Sequence, residues 1–344
     1  MHVLSRIVRV LVWGGIIMMI SAIVVLSAHV FLGDRRLDTG HNFFPPASRF
    51  LEPDARRFSV VLLSDTATND IVLERIMDDV NTSGISPAFF LYLGDFVKDS
   101  WADFYWMLHE IKDELNDRPM YFTPGNHDVT RRRQIDKSFY RHVLGQEYYW
   151  FGYGDVLFIG LDTSAESLDG EQLHWLDATL RNVGHDFNHT IIFSHVPPAA
   201  AVAPNGESAD HALSTDSATA LKNVLKKHRV DAMFFGHVHY WSANKFAGVP
   251  FYTTPPAGQG ARATNERYGY VVVNIGPRGI EKVEPRYIDY TGDIREHGEA
   301  WIINNVINYK TCRAIRVIIP MCIILFGLAG VLGLLKRLMK RNRL

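Results

Sequence analysis

Side chains able to bind a metal ion stand at the ends of five apolar segments of the chain. The segments are VVLLSD, FFLYLGD, MYFTPGNHD, TIIFSH and DAMFFGHVH, and they end in Asp65, Asp95, Asn126–His127–Asp128, His195, and His237 with His239. Each apolar run has the length of a buried strand, and the carboxyl ends of strands in an α/β sheet meet at the edge where sites form. One such residue is usually a turn aspartate or a hydrogen-bonded histidine. Five together predict a shared site.

The donor types in this set narrow the chemistry. Two aspartates, one asparagine and three histidines offer oxygen and nitrogen without a thiolate, a set that suits Mn, Fe, Zn or Co better than Ca or Cu(I). Six ligands exceed what one tetrahedral site uses, and a carboxylate can bridge two ions about 3.5–4 Å apart. Such a pair would clamp a phosphoryl group and convert a bound water into hydroxide near neutral pH.

Apolar runs and amphipathic segments alternate after residue 57, which predicts a layered α/β domain. The predicted strands are 58–64, 89–93, 119–123, 155–161, 189–194, 230–235, 249–254, 269–275 and 282–288, and the predicted helices are 69–83, 101–117, 132–144, 171–183 and 215–228. The strands crowd toward the end of the domain, which favours two sheets between layers of helices.

The motifs SD, GD, GNHD, SH and GHVH, in this order, resemble the calcineurin-like metallophosphoesterase superfamily over residues 58 to 290. The resemblance implies an α/β fold of the four-layer αββα sandwich type, with two divalent metal ions at the strand ends. It implies that Asp95 bridges the ions, that Asn126, His195 and His237 complete one site, and that Asp65 and His239 hold the other.

The GNHD motif also carries implied catalytic residues. By the same resemblance, His127 would lie beside the phosphate as a general acid or charge stabiliser, and the Asp128 carboxylate would orient it. A histidine that merely occupies a turn is the alternative for His127.

The first motif departs from the family pattern, because Ala67 stands where Asp-x-His has its histidine. Purple acid phosphatases also lack this histidine, but a tyrosine three residues after the bridging aspartate replaces it, and that position here is Lys98. A charged ammonium cannot bind a metal. We therefore expect the second ion to bind weakly. The sequence leaves water, Thr68, Asn69 and Asp99 open as replacements.

Substrate contacts are predicted from cationic residues near these motifs. Lys98 would lie near a phosphate or be solvated. Arg131 is the first of the three arginines of the segment TRRRQ, which would meet a phosphate or lipid headgroup or form a solvated helix start. The segment 258–262 is predicted to be a loop, with lining of the cleft as the alternative. The stretch 197–213, with His211, is predicted to be a flexible loop over the cleft.

Two segments are long and apolar enough to cross a bilayer, at residues 10–32 and 317–335. A cleaved signal peptide is the alternative for the first, and a buried core helix for the second. The tail after 335 carries five Lys or Arg residues against three on the other flank of that segment, which predicts cytoplasmic termini. The domain between the spans would then be extracytoplasmic, either periplasmic or luminal.

The predicted organisation is an N-terminal tip and span at 1–32, a linker at 33–57, a metallophosphoesterase domain at 58–290, a linker at 291–316, a second span at 317–335 and a basic tail at 336–344. The formal net charge of −1 gives no basic field to attract nucleic acid. Cys312 and Cys322 lie at and within the second span, so no disulfide framework identifies the compartment.

The leading prediction is a membrane-anchored phosphoesterase that hydrolyses a phosphomonoester or phosphodiester by metal-activated hydroxide. The membrane itself and a phosphoester, lipid-linked or soluble, are the expected partners. The alternative is a degenerate member of the family that binds a ligand or partner without turnover, with Ala67 as the feature in its favour. A channel or transporter has little support, because the two spans contain no acidic residue.

Overall fold

The computed structural model describes residues 7, 9–17, 19–20, 50–52, 54–98, 104, 107–108, 111–112, 114–131, 134–203, 205–206, 208–209, 211–260, 267–290 and 331. The chain divides into two units, Arg36–Asp293 and the pair of segments Met1–Arg35 and Ile294–Leu344. The described strands and the candidate site belong to the first unit.

In chain order the strands are β1 (Phe50–Leu51), β2 (Phe58–Leu63), β3 (Pro87–Leu93), β4 (Met120–Thr123), β5 (Thr130–Arg131), β6 (Gln134–Ile135), β7 (Tyr149–Tyr153), β8 (Val156–Gly160), β9 (His189–Phe193), β10 (Ala201–Val202), β11 (Ser208–Ala209), β12 (Ala232–Phe235), β13 (Ser242–Phe246), β14 (Val249–Thr253), β15 (Gly269–Gly276) and β16 (Gly279–Tyr287). The helices are α1 (Asp70–Thr82), α2 (Asn126–Val129), α3 (Ser138–Leu144), α4 (Gly170–Asn182) and α5 (Thr215–Leu225), and a 3₁₀ turn covers Gly184–Asp186.

Two large sheets are built from these strands. The five-stranded sheet has the order β16-β15-β2-β3-β4, with β2, β3 and β4 parallel to one another. The seven-stranded sheet has the order β1-β7-β8-β9-β12-β14-β13, with β8, β9, β12 and β14 parallel. Each sheet therefore gathers the carboxyl ends of several strands at one edge, where ligand sites form in α/β folds.

Successive side chains of each strand point to opposite faces of its sheet, and the apolar side chains on these faces form three cores. In β2, Val60 and Leu62 face a core shared by the two sheets, whereas Val61 and Leu63 face a core formed with α1 and α3. The outer face of the seven-stranded sheet packs on α4 and α5. The order of layers is helix, sheet, sheet, helix. The predicted α/β fold is confirmed.

The core between the sheets is rich in aromatic rings. The ring of Phe89 in the five-stranded sheet meets two rings of the seven-stranded sheet edge to face, that of Phe158 with centroids 5.2 Å apart and that of Phe151 with centroids 5.5 Å apart. Burying one such side chain stabilises the fold by about 1.5–3 kcal/mol. These contacts hold one sheet against the other and so fix the relative position of their edges.

Several predicted boundaries differ from the structure. Strands β7 and β13 and the two-residue strands were not predicted, and the region predicted as a helix at 132–144 contains β6, which pairs with β5, and then α3. The α3 helix begins at Ser138 and not at residue 132. The Asp136 side chain accepts a hydrogen bond from the Ser138 N–H at 3.1 Å, which forms a turn immediately before the helix. The described residues within the predicted helix 101–117 are helical up to 114.

Strand β1 lies within the segment 33–57 predicted to be a linker, where it pairs with β7. Most of the two predicted membrane spans lies outside the described residues, and residues 9–17 are helical. Within the described part of the chain, no helix has both the length and the apolar character that crossing a bilayer requires.

Candidate metal centre

The predicted metal-binding residues come together where the two sheets meet. Asp65, Asp95 and Asn126 follow β2, β3 and β4 of the five-stranded sheet. His195 and His237 follow β9 and β12 of the seven-stranded sheet, and His239 lies two residues further on. The site therefore draws its side chains from both sheets, and all six lie in loops that follow buried strands.

His195 is the centre of the first group. Its Nε2 lies 3.1 Å from Asn126 Oδ1, 3.1 Å from His237 Nδ1 and 3.4 Å from Asp95 Oδ2. One ligand atom from each of Asp95, His195 and His237 falls within 4.8 Å of the others, and all three side chains are buried. This arrangement of three or four donors around one point is suited to a metal ion.

The tautomer of His195 follows from its second nitrogen. Nδ1 lies 2.7 Å from the Leu93 carbonyl oxygen, and because a carbonyl only accepts, Nδ1 must donate. In the neutral ring, Nε2 then directs a lone pair at the oxygens of Asn126 and Asp95. Either a proton on Nε2 or a bound cation can satisfy these facing oxygens, and a metal ion that displaces the proton would gain all of these ligand atoms, so the residues fit a metal.

Asp65 and His239 form the second group. Asp65 Oδ1 lies 3.3 Å from His239 Nε2, while His239 Nδ1 donates to the Gly260 carbonyl at 2.8 Å. Asp65 Oδ2 accepts hydrogen bonds from the His237 N–H at 2.9 Å and from the Ser64 hydroxyl. The Oδ1 atom of Asp65 is buried and accepts no hydrogen bond from any described residue. This oxygen and the His239 lone pair also fit a divalent cation.

The charges of the two groups are coupled. Burial alone would raise the pKa of Asp65, but the charges of His239 and His195 lower it overall. Burial likewise opposes ionisation of Asp95, and the charge of His195 again keeps its pKa low. Burial lowers the pKa of His195, but the negative charges of Asp95 and Asp65 outweigh it and raise the pKa to about 9. The carboxylates thus remain anionic and create a site for positive charge.

Several of these residues have a left-handed backbone. The φ angles are 56° for Asp65, 56° for Asp95, 69° for His237 and 59° for His239, which is an uncommon conformation for residues other than glycine. Such strain persists only where surrounding contacts enforce it, and it concentrates at functional sites. Gly94 has φ +83°, and a Cβ there would fall 2.6 Å from His195 Nδ1, so glycine is required beside the first group.

His127 lies at the rim of the site. Its N–H donates to Asp95 Oδ1 at 2.9 Å, its Nε2 lies 3.9 Å from Asp95 Oδ2, and its side chain is 28% exposed. The ring can therefore meet both the site and a molecule that enters from solvent.

Asp128 is buried beneath the loop that carries His127. Its Oδ2 accepts hydrogen bonds from the N–H groups of Asp95 at 2.8 Å and Gly125 at 2.9 Å, and its Oδ1 accepts from Val97 at 3.1 Å. Burial and the charge of Asp95 raise the pKa of Asp128 to about 7. These contacts show that Asp128 holds two loops together. The predicted role in orienting the His127 ring stays a prediction.

The position of Ala67 is enclosed, with 6% of the residue exposed and φ 49°. Two of the proposed replacements for the missing histidine are engaged elsewhere. Thr68 Oγ1 accepts from the Lys98 N–H at 3.0 Å, and the Asn69 side chain accepts from Val72 N–H at the start of α1. Asp99 lies outside the described residues.

Of the two predicted substrate contacts, Lys98 lies shortly after Asp95 and is partly buried. Arg131 belongs to β5, and only its backbone is among the described parts of the chain. Sequence reasoning missed the carbonyls of Leu93 and Gly260 that orient the histidines, because backbone acceptors leave no residue-type signal. The segment 258–262, for which a plain loop is the main prediction, contacts both Asp65 and His239 through Gln259 and Gly260.

Residues 58–241 match the family model of calcineurin-like phosphoesterases. The chain belongs to this family. The predicted resemblance is thereby confirmed, and the matched region contains all six candidate ligands.

The individual proteins to which the chain is similar share a quarter or less of its residues in the aligned regions. The chain is 25% identical over 201 residues to a probable cyclic nucleotide phosphodiesterase of Rhodococcus erythropolis, in an alignment that covers 55% of this chain and 63% of the relative. The fold is similar to that of a purple acid phosphatase from yellow lupin seeds, with a TM-score of 0.51, 14% identity, and coverage of 69% of this chain and 53% of the lupin chain. A dimetal phosphatase from Danio rerio gives the same TM-score and identity and is covered over 98% of its length.

Proposed function

We propose that this protein is a divalent-metal-dependent phosphoester hydrolase. The observation that carries the proposal is the group of potential ligand atoms around His195 Nε2, in which atoms of Asp95, Asn126 and His237 lie within 3.4 Å. Divalent ions held there would neutralise phosphoryl oxygens and lower the pKa of a bound water toward neutrality. Membership of the calcineurin-like phosphoesterase family supports the same reaction class.

The chain's own residues would act at two places. His127, half-buried beside Asp95, is placed to donate a proton or a hydrogen bond to a phosphoryl or leaving-group oxygen. Asp95, whose backbone N–H is held by Asp128, would be the carboxylate that contacts both ions. Asp65 and His239 would hold the second ion.

The substrate class is proposed as a phosphodiester or a phosphomonoester. The relative from Rhodococcus erythropolis is described as a probable cyclic nucleotide phosphodiesterase, and the alignment spans less than two thirds of it. That description favours testing diesters first. Lys98 and Arg131 are proposed as phosphate contacts, because both follow loops that carry candidate ligands.

We also propose that segments 10–32 and 317–335 anchor the chain in a membrane, with both termini cytoplasmic and the hydrolase domain outside the cytoplasm. A lipid-linked phosphoester would then be within reach of the site. Alkaline extraction of membranes, followed by protease protection of intact cells or vesicles, tests both parts. Release of the chain by carbonate would count against the anchors.

The decisive assay uses the full chain purified in detergent, stripped of metal and reloaded with Mn, Fe or Zn. Hydrolysis of bis-p-nitrophenyl phosphate and p-nitrophenyl phosphate is followed with wild type, His237→Ala and the control His174→Ala, whose ring lies exposed on α4. We expect metal-dependent turnover that His237→Ala abolishes and His174→Ala retains. Metal binding without turnover of either ester would favour the ligand-binding alternative.

A further inference from the structure

The loop Ala257–Gly260 lies directly against the segment that lacks the family histidine. The N–H of Ala257 donates to the Ser64 carbonyl at 2.8 Å, and the N–H of Gln259 donates to the Asp65 carbonyl at 2.7 Å. A Cβ at Gly258 would fall 2.7 Å from the Thr66 carbonyl oxygen, so only glycine permits this close approach. The loop therefore packs along the backbone from Ser64 to Thr66.

The same loop contacts the other ligand of the second group. The Gly260 carbonyl accepts the proton of His239 Nδ1 at 2.8 Å, and the Gly258 carbonyl accepts from the Asn69 side chain at 3.0 Å. Gln259 is thus fixed between a residue that contacts His239 and a residue that packs on Thr66. Its position in the chain places it beside both Asp65 and His239.

The amide oxygen of Gln259 has an unusual environment. Its Oε1 atom is buried, and it receives no hydrogen bond from any described residue. Leaving a buried acceptor unsatisfied costs about 1–3 kcal/mol, so a partner for this oxygen is expected. An amide oxygen is a common ligand of hard and borderline divalent cations, and the backbone N–H of the same residue bonds to the carbonyl of Asp65, itself a candidate ligand.

We propose that Gln259 Oε1 replaces the imidazole that Ala67 lacks, so that a divalent cation in the second group is held by Asp65, His239, Gln259 and the shared Asp95. The proposal rests on the proposed function, because it names a ligand of the same centre. The alternatives within the first motif are weakened, since Thr68 and Asn69 already have partners in the loop and helix. An amide binds more weakly than an imidazole or a carboxylate, so the second ion would exchange more readily than the first.

The test counts bound Mn²⁺ by electron paramagnetic resonance during equilibrium titration of the full chain, independently of turnover. Wild type is expected to bind two ions and to show the signal of an exchange-coupled pair. Gln259→Leu should keep the first ion and lose affinity for the second by about tenfold or more. Gln259→Glu should tighten the second site, and the double variant Gln259→Leu with Ala67→His should restore it.

The matched control is Gln146→Leu, an exposed glutamine before β7, which should leave both affinities unchanged. Circular dichroism of each variant excludes loss of the fold. Two ions bound with unchanged affinity in Gln259→Leu would overturn the proposal while the hydrolase proposal stands. A single ion in wild type would also overturn it. Failure of wild type to bind Mn²⁺ at all would overturn both proposals.

Discussion

The Asp128 carboxylate accepts a hydrogen bond from the backbone N–H of Asp95 at 2.8 Å. The same carboxylate oxygen accepts the Gly125 N–H, so one buried side chain joins the loop after β3 to the loop after β4. The side chains of Asp95 and Asn126 project from these loops. The fourth residue of GNHD therefore positions two metal-ligand candidates through the backbone.

Replacing Asp128 with asparagine should destabilise the fold. An asparagine has one acceptor oxygen, so its amino group would face at least one of the N–H donors that now bond to the carboxylate. The free energy of unfolding in urea should fall by about 1–3 kcal/mol. The control Asp289→Asn, an exposed carboxylate 88% accessible to solvent, should change stability by less than about 0.5 kcal/mol. Equal stability of the two variants would contradict the bridging role.

Metal binding should release a proton at neutral pH. In the metal-free protein, Asp95 and Asp65 raise the pKa of His195 to about 9, so the ring is protonated at pH 7.5 and a metal must displace that proton. Apparent affinity should rise about tenfold per pH unit up to about pH 9 and then level off. Calorimetry in buffers of different ionisation enthalpy measures the release. Zero release at pH 7.5 would show that His195 is already neutral.

The same pKa shift should affect stability without metal. Since the pKa of His195 is raised in the folded state, its contribution is fully present below the unfolded pKa of about 6.5 and is lost as pH rises through about 9. The metal-free protein should therefore be less stable at pH 9.5 than at pH 6.5, as measured by urea unfolding. In His195→Asn, the part of this pH dependence that belongs to the histidine should vanish.

His127→Asn should separate catalysis from metal binding. The His127 side chain lies 3.9 Å from Asp95 Oδ2 at the solvent-facing rim and does not belong to the four-donor group around His195. Loss of a positioned proton donor should lower kcat by about 10²–10⁴-fold with unchanged metal stoichiometry. His142→Asn, at an exposed position of α3, is the control. A wild-type kcat in His127→Asn would remove His127 from the chemistry.

Asn69 should prove to have two separate roles. Its side-chain oxygen caps α1, and its side-chain nitrogen donates to the Gly258 carbonyl. Asn69→Ala should lose both contacts and reduce the free energy of unfolding by about 1–2 kcal/mol. Asn69→Asp should keep the cap and lose only the loop contact. Hydrogen exchange at Gln259 N–H should speed up in both variants, and equal protection to wild type would show that the loop is held by other contacts.

The strands and helix ends that are marked by particular residue types could be predicted from the sequence. Apolar runs of strand length ending in Asp65, Asp95 or His195 placed those residues at the edge where the structure has them. The start of α4 could be predicted from its N-cap residue Asp169, whose side-chain oxygen accepts a hydrogen bond from the Gln172 N–H. The family resemblance rested on the same motifs.

The parts fixed by tertiary contacts could not be predicted. Strand β13 has the sequence SANKF, which has little β propensity and forms because it pairs along its length with β14. The role of Gln259 depends on the loop being folded back onto Asp65, a contact across about 190 residues that no local pattern encodes. The carbonyl of Gly260 is likewise visible only in three dimensions.

The division of ligands between the two sheets has a consequence for biogenesis. During synthesis, Asp65, Asp95 and Asn126 are made together with the three parallel strands of the five-stranded sheet. His195, His237 and His239 are made later, after strands β9 and β12 of the seven-stranded sheet. Neither half alone offers the full coordination sphere. A divalent ion would therefore be captured tightly only after the two sheets have docked, and it would then act as a cross-link that resists their separation. Metal retention would report that assembly of the domain is finished.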